Sequence, residues 1–306
     1  MAAPTRTRVI IAFAALYLIW GSTYLFIRFA IDSIPPFLMA GSRYLTAGVL
    51  MYAIARAQAS KSPAPATWRS SLIVGGFLLL GGNGGVTLSE KYIDTGLAAV
   101  IVATVPIYIL LLSWITRATP RPRLPILFGL AGGFIGVGVL MAPVIRFSAN
   151  DSQRPIIGIL ILLVASFLWS VGSLYSRSAT SADSPFLAAA QQMICGGALL
   201  FLVGLITREK VDLHAVSAHS IWAWIYLVLI GAIIGFNAYI YLLRHCDPAK
   251  VATYAYVNPI VALILGTLFA GEHFTSRTIL AAALIIGSVA IVITTEQLRS
   301  KSVPPV

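Results

Sequence analysis

Long apolar runs separated by short polar connections dominate the sequence. Ten such runs lie at about residues 9–31, 36–56, 70–90, 95–116, 124–143, 155–177, 185–206, 221–243, 249–270 and 278–295. A membrane-spanning helix needs about 20 mostly apolar residues, and each run is close to that length. The runs are continuous, whereas the strands of a transmembrane barrel alternate between apolar and polar positions. The pattern therefore predicts an all-α integral membrane protein with ten transmembrane helices.

The composition points the same way. Hydrophobic residues make up 58% of the chain and charged residues only 10%. A soluble domain has about 25% charged residues, so this chain lacks the polar surface that would cover a water-soluble core. The first run is too long for the apolar region of a signal peptide, and no small-residue cleavage site follows it, so we expect a retained helix.

The basic net charge of +11 is explained by the connections between the runs. With the N-terminus inside, the inside segments hold 13 lysines and arginines and the outside segments hold six, while Arg28 and Arg43 lie within runs. Positive residues concentrate on the cytoplasmic side of membrane proteins, so both termini are expected in the cytoplasm. No basic cluster is interleaved with aromatic residues, so a nucleic-acid partner is not expected.

The sequence shows no metal, cofactor or catalytic framework. Cys195 and Cys246 have no partner spacing, and the four histidines are scattered in or beside connections. Neither HExxH nor GxSxG occurs. We therefore expect no enzyme, although an intramembrane enzyme and a non-transporting sensor or assembly factor stay open as alternatives.

The two halves of the chain repeat one another. Trp20 and Trp169 are 149 residues apart. At the same offset, Pro36-Phe37-Leu38 matches Pro185-Phe186-Leu187, and Gly48 matches Gly197. Further along the chain the offset becomes 153. There Lys91 matches Arg244, Asp94 matches Asp247, and Pro106 matches Pro259. We predict an N-terminal repeat at 1–150 and a C-terminal repeat at 151–306. Each holds five runs, and because five is odd, the second repeat must enter the membrane inverted. Inverted repeats are typical of secondary transporters, whose substrate site lies at the repeat interface.

Helix interruptions are predicted at matching places in the two repeats. Run three contains GGFLLLGGNGGVTL and run eight contains GAIIGFNAYIYLLR, both rich in glycine. Glycine lowers helix propensity and allows close approach of backbones. Pro106 and Pro259 each remove a helical hydrogen bond to the carbonyl four residues back, at Val102 and Ala255. These two prolines are the predicted hinges.

Several short motifs resemble those of the EamA family, in the drug/metabolite transporter superfamily. They are WGSTY, RYLTAG, ATVP, NAYIYLLR, YAYVNPIVALILG and the Gly-Glu at the end of run nine. The resemblance covers nearly the whole chain. It implies ten helices in two inverted halves around a central cavity, and a bacterial inner-membrane protein that exports amino acids, metabolites or toxic compounds. Run four ends in Thr116-Arg117-Ala118, without a counterpart of Glu272, so a symmetric role for that glutamate is not expected.

Polar and aromatic residues at helical spacing supply the candidate cavity lining. A polar group at mid-depth would lose its hydrogen bonds if it faced lipid, so these residues should face the protein interior or a wet cavity. The predicted substrate-binding residues are Trp20, Tyr24, Arg43, Asn83, Tyr108, Trp169, Ser173, Asn237, Tyr241, Tyr254 and Asn258.

The two arginines within runs have different expected roles. Arg28 lies three residues from the end of run one and can extend to the outer interface, with Asp32 as a partner at i+4. Arg43 lies about 10 Å below the outer surface, at 1.5 Å per residue. A bond to helix carbonyls, an outer gate, or a pair with Glu90 or Glu272 would explain it, and so would the binding of a substrate carboxylate.

The charges inside the membrane also narrow the substrate class. No Asp or Glu lies mid-run, which disfavours dedicated transport of bulky organic cations. Amino acids and related neutral or zwitterionic compounds are the leading class, and multidrug efflux is the alternative. Glu90, Glu272 and His245 lie near run ends, where a solvated or salt-bridged role is expected. Proton antiport, facilitated diffusion, and monomer or dimer all stay open.

Overall fold

A computed structural model describes residues 6–58, 64–117, 124–146, 153–180, 182, 184–246, 251 and 254–302. The regular elements in these ranges are helices. The predicted boundary between the repeats, at 150 and 151, lies outside the described residues.

The first half of the chain forms seven α-helices and one π-helical segment. They are α1 (Arg6–Ala30), α2 (Pro36–Ala57), α3 (Pro65–Gly75), the π-helical segment π1 (Gly76–Asn83), α4 (Gly84–Ser89), α5 (Thr95–Val102), α6 (Val105–Ile115) and α7 (Leu124–Arg146). Helices α3 and α4 continue one another through π1 and make one apolar span, and α5 and α6 make the next.

Among the elements that the structure describes, the second half has the same order, except that one helix stands in the place of α5 and α6. Its elements are α8 (Gln153–Ser178), α9 (Pro185–Ile206), α10 (Ala218–Tyr226), the π-helical segment π2 (Leu227–Ile234), α11 (Gly235–His245), α12 (Tyr254–Phe269) and α13 (Ser276–Ser302). Segments π1 and π2 each contain eight residues, and their first residues are 151 positions apart, between the two offsets read from the sequence.

Seven helical spans of the described residues are long and apolar enough to cross a membrane. Three shorter apolar helices, Leu124–Val139, Val257–Phe269 and Ser276–Val292, coincide with the remaining predicted runs. Large aliphatic and aromatic side chains are exposed on the outer surface, among them Phe128, Leu268 and Phe269 at 65% or more of their area. A multi-pass membrane protein is therefore confirmed.

Proline begins several of these helices and left-handed residues end three of them. Pro36, Pro65, Pro106 and Pro185 lie in the first turns of α2, α3, α6 and α9, where a missing N–H removes no helical bond. Arg117, Arg208 and Gly271 have φ of 58°, 57° and 64° just beyond α6, α9 and α12. Such residues end a helix by turning the chain away from its axis.

Helices α2 and α9 pack antiparallel along their whole length through glycine. A Cβ built on Gly41 would lie 2.6 Å from the main-chain nitrogen of Phe201, and one on Gly197 would lie 2.6 Å from that of Leu45. Helix α7 packs against α13 in the same manner, with Gly129 opposite Val292. Without a solvent-driven hydrophobic effect between helices, close backbone approach of this kind supplies van der Waals attraction in a bilayer.

The predicted interruptions take different forms. Runs three and eight are π-helical at the glycine-rich positions, and π-helical turns often occur at functional sites. The fourth span breaks between Val102 and Val105, and Pro106 opens the helix that follows. Helix α12 continues through Pro259 without a break. Pro106 and Pro259 thus match in sequence, but only Pro106 lies next to a break in its span.

One end of the molecule is formed by the connections at 31–35, 90–94, 207–217 and 270–275, and we call it the Glu90 end. An apolar cluster lies towards this end and includes Ile27, Val86 and Ile93, with Ile34 packed against it. A separate cluster, with Ala12, Leu16, Leu242 and Val251, lies near the opposite end. The space between these two clusters contains the cavity.

Candidate functional site

A cavity of about 120 Å³ lies inside the helical bundle. It is lined by Trp20, Thr23, Tyr24, Ile27, Arg43, Tyr44, Leu79, Asn83, Val86, Ala99, Val102, Ala103, Val105, Trp169, Met193, Gly231, Ala232, Phe236, Tyr254, Asn258 and Pro259. Both π-helical segments contribute, through Leu79 and Asn83 and through Gly231 and Ala232. The wall is mostly apolar and aromatic, with few polar groups, as is usual for small-molecule sites.

Seven of the eleven predicted substrate-binding residues line this cavity: Trp20, Tyr24, Arg43, Asn83, Trp169, Tyr254 and Asn258. One predicted hinge, Pro259, also lines it. The tertiary structure brings these residues together from five spans.

The other four predicted residues lie away from the cavity wall. The ring of Tyr108 packs against Phe134 and Phe167, at centroid distances of 6.5 and 6.0 Å. The hydroxyl of Ser173 donates to the carbonyl of Trp169, and the amide of Asn237 donates to that of Ile233. Tyr241 packs against the apolar cluster near the opposite end. Ser173 and Asn237 bond within their own helices, which removes the reason for expecting them in a wet cavity.

The two mid-span tryptophans occupy equivalent positions against glycines of the other half. A Cβ on Gly235, at the start of α11, would lie 2.8 Å from the Trp20 indole nitrogen. A Cβ on Gly82, in π1, would lie 2.7 Å from the Trp169 ring. Glycine is required at both places because the indole rings fill the space of a side chain. The contact is reciprocal between the halves of the chain.

Trp20 is the centre of an aromatic group on the cavity wall. Its ring centroid lies 5.1 Å from that of Tyr254 in an edge-to-face arrangement, and 5.1 Å from that of Tyr239. Phe236 is 6.5 Å away. Edge-to-face pairs at these distances are favourable, so the rings form a preorganised surface for an apolar or aromatic group.

Arg43 supplies the positive charge of the cavity. Its side chain is 4% exposed. One terminal nitrogen, Nη2, donates to the Tyr44 hydroxyl and to Asn83 Oδ1, the latter at 3.0 Å, and the guanidinium carbon lies 4.2 Å from the Tyr44 ring centre. Its Nε and Nη1 atoms are buried without a hydrogen-bond partner. An arginine with unused donors beside a cavity is suited to binding a carboxylate.

Arg28 lies at the Glu90 end, and its hydrogen-bond partner is not the predicted Asp32. It is exposed, and its Nη1 donates to the main-chain oxygen of Glu90 at 2.5 Å. The predicted pair with Asp32 is replaced by this contact between α1 and the end of α4.

The glutamates near this end are buried, contrary to the expectation of a solvated role. Glu272 is 8% exposed, and its carboxylate accepts hydrogen bonds from the main-chain nitrogens of Thr95 at 2.7 Å and Gly96 at 3.3 Å. Glu90 has no exposed surface, and neither of its carboxylate oxygens has a partner. The side chain of His245 lies outside the description.

Glu90 follows directly after the span that ends at Ser89. Burial raises the pKa of its carboxyl well above the ordinary value, and the negative charge of Glu272 raises it further, while Arg28 and Arg43 lower it. The pKa of Asp94 is also raised, by burial and by Glu272. The sequence offers Glu90 as a partner of Arg43 or as a solvated or salt-bridged glutamate. It does not predict that the side chain is completely buried, because burial depends on the packing of helices from distant parts of the chain.

A bundle of apolar helices that encloses a cavity with an aromatic wall and a buried arginine is the arrangement expected of a membrane transporter. The chain belongs to the EamA-like transporter family, which it matches over residues 7–142 and 156–294. The family match thus occurs twice, once in each half.

Individual relatives agree with this assignment. The chain is 37% identical over 284 residues to the uncharacterized inner membrane transporter YedA of Escherichia coli strain K12, covering 92% of this chain and 89% of that protein. It is 26% identical over 288 residues to the uncharacterized transporter YvbV of Bacillus subtilis strain 168, covering 94% and 92%. A solved crystal structure, 18% identical, matches the fold with a TM-score of 0.65 over 95% of this chain and 99% of that one.

Proposed function

We propose that this protein is a secondary transporter that exports small carboxylate-bearing metabolites, amino acids first among them, from the bacterial cytoplasm by alternating access. The observation that carries the substrate class is the buried Arg43, which lines the cavity together with Trp20 and Tyr254 and has two buried donor atoms without hydrogen-bond partners. A carboxylate on Arg43 with an apolar or aromatic group against these rings would use both features.

The alternating-access part of the proposal rests on an inverted relation between two five-helix halves, ten spans in all. Three observations support that relation: the antiparallel pairing of α2 with α9 and of α7 with α13, the reciprocal tryptophan–glycine contacts, and the matched segments π1 and π2. Secondary transporters of this architecture bind substrate between the halves and rock one half against the other. The broken fourth span supplies a place for bending at Pro106.

The charge of the cavity separates this proposal from multidrug efflux of organic cations. The described residues that line it include one arginine and no Asp or Glu. A cationic substrate would be placed beside Arg43 without a counter-ion, which is unfavourable in a site shielded from water. Cationic dyes are therefore expected to be poor substrates.

Counterflow in proteoliposomes tests the proposal. The proteoliposomes are preloaded with one unlabelled compound from a panel of amino acids, other small carboxylates and a cationic dye. Entry of the same compound in labelled form is then measured. We expect counterflow with L-phenylalanine or a related amino acid. Replacing Arg43 with Ala should weaken binding about 10- to 100-fold, since a charged hydrogen bond contributes about 1.5–3 kcal/mol.

Matched variants locate the site within the bundle. Tyr254→Ala and Trp20→Ala should reduce counterflow, because both rings line the cavity. Tyr108→Ala serves as the control, since this ring packs against Phe134 and Phe167 away from the cavity. Unchanged flux in Arg43→Ala, or equal losses in Tyr108→Ala and Tyr254→Ala, would show that the site lies elsewhere.

A further inference from the structure

Glu90 lies where the cavity meets the Glu90 end of the bundle. It follows Val86 by one helical turn, and Val86 lines the cavity. Its main-chain oxygen is held by Arg28, which orders the turn, but its carboxylate accepts no hydrogen bond. Its side chain is completely excluded from solvent.

The ionised form of this carboxylate has little to stabilise it in the observed arrangement. The charged and titratable groups that act on it are Tyr24 and Arg28 from α1, Arg43 from α2, and Glu272 beyond α12. Asp94, in the adjoining connection, interacts with Glu272 and Arg28 instead. Burying a carboxylate without hydrogen bonds is unfavourable unless a counter-charge is close, and a proton removes that penalty.

Arg43 has the complementary deficiency. It retains two buried donor atoms without partners, next to the same cavity. Glu90 in its ionised form balances the charge of Arg43, whereas a substrate carboxylate on Arg43 would supply that balance instead. Two negative groups beside one guanidinium are less favourable than one, so only one of them is expected to stay ionised.

We propose that Glu90 is a proton-binding site linked to Arg43, so that neutralising Arg43 with a bound carboxylate makes Glu90 take up a proton. The linkage rests on the proposed function, because it requires a carboxylate at Arg43. By reciprocity, a proton on Glu90 strengthens carboxylate binding by the same factor.

The sign of this linkage limits the mode of export. Proton and substrate bind together, which opposes antiport, where each must displace the other. Export through such a site would be driven by the outward gradient of substrate and would be slowed by an inward proton gradient. The linkage thus argues against proton antiport, one of the two modes that the sequence leaves open.

Infrared difference spectroscopy of the purified protein during a pH titration tests the proton site without any substrate. The carbonyl band of a protonated carboxyl group should persist above the usual pH range of glutamic acid in the wild type and should disappear in Glu90→Gln. Glu209→Gln is the control: this glutamate accepts bonds from the main-chain nitrogens of Phe37 and Leu38 and should leave the band unchanged. If the band persists in Glu90→Gln as it does in Glu209→Gln, or if the wild type lacks the band, the proposal is overturned.

The link to Arg43 is tested with the same band. In Arg43→Ala the midpoint of the Glu90 titration should rise by about one to two pH units, because a neighbouring positive charge has been removed. An unchanged midpoint overturns the linkage. Saturating L-phenylalanine should shift the wild-type midpoint upward as well, and binding of L-phenylalanine without that shift also overturns it. If L-phenylalanine does not bind, the substrate proposal fails, while the result with Arg43→Ala still decides the linkage.

Discussion

Two glutamates each complete the first turn of a helix in the other half of the chain. Glu209 follows the left-handed Arg208 beyond α9 and accepts bonds from Phe37 and Leu38 at the start of α2. Glu272 follows the left-handed Gly271 beyond α12 and caps α5. A carboxylate at a helix N-terminus satisfies otherwise unpaired N–H groups and interacts favourably with the helix dipole. Both glutamates cap a helix N-terminus in the same way, but Glu272 is buried whereas Glu209 is partly exposed.

This difference predicts unequal effects of removing the caps. Glu272→Ala leaves buried N–H groups without partners, so it should destabilise the protein by about 1–3 kcal/mol. Glu209→Ala should cost about 0.5–1 kcal/mol, because half-exposed Glu209 caps a turn that water can reach. Thermal unfolding of the detergent-solubilised variants provides the measurement. A larger loss in Glu209→Ala would contradict the ranking by burial.

At the level of helices, glycine decides which pairs can come into contact. Gly41 and Gly48 of α2 face Phe201 and Ile194 of α9 at backbone distance, whereas Gly287 of α13 has no neighbouring heavy atom within 4 Å of a built Cβ. The same residue type therefore has a packing role at one position and none at another. Sequence alone does not separate the two cases, because all three glycines lie in apolar runs.

Adding one methyl group distinguishes these roles. Gly197→Ala should destabilise the protein by about 1–3 kcal/mol, because the new Cβ meets the rigid backbone of α2 at Leu45. Gly287→Ala should be neutral or stabilising by up to about 1 kcal/mol, through higher helix propensity. Melting temperatures of the two variants in the same detergent test this. Equal shifts would indicate that the α2–α9 contact is looser than described.

For the whole molecule, the orientation of the bundle decides which of its two ends faces the cytoplasm. The excess of positive residues in the inside segments predicts that both termini lie in the cytoplasm, and the Glu90 end would then face the periplasm. Thr116 and Thr207 form a matched pair for testing this orientation. Each is exposed at the C-terminus of its helix and donates to the carbonyl four residues back.

Cysteine labelling of intact cells measures the orientation. In a background without Cys195 and Cys246, Thr207→Cys should react with a membrane-impermeant maleimide, and Thr116→Cys should react only after the cells are broken. Their similar exposure and helix position exclude a trivial difference in reactivity. The reverse pattern would place the N-terminus outside the cell and the Glu90 end in the cytoplasm.

The long, continuous apolar runs by themselves determined the membrane location, the helical class and the approximate bounds of the spans. Every backbone N–H and C=O group in lipid needs a hydrogen bond within the protein, and an α-helix supplies these bonds within one segment. A run of about 20 apolar residues is therefore a sufficient signal for a membrane-spanning helix. The glycine-rich stretches also located the two π-helical segments, and Pro106 marked the broken fourth span, whereas Pro259 lies inside a continuous helix. The EamA motifs indicated the family. These features depend on local composition and on order along the chain.

The tertiary structure decided which polar side chains reach the cavity. Asn237 and Asn83 look alike in sequence, yet Asn83 meets Arg43 while Asn237 bonds to its own helix. Glu90 lies at a span end like many solvated glutamates, but helices from distant parts of the chain enclose it. Rotation of each helix about its axis sets these outcomes, and that rotation depends on packing between spans, which no single run encodes.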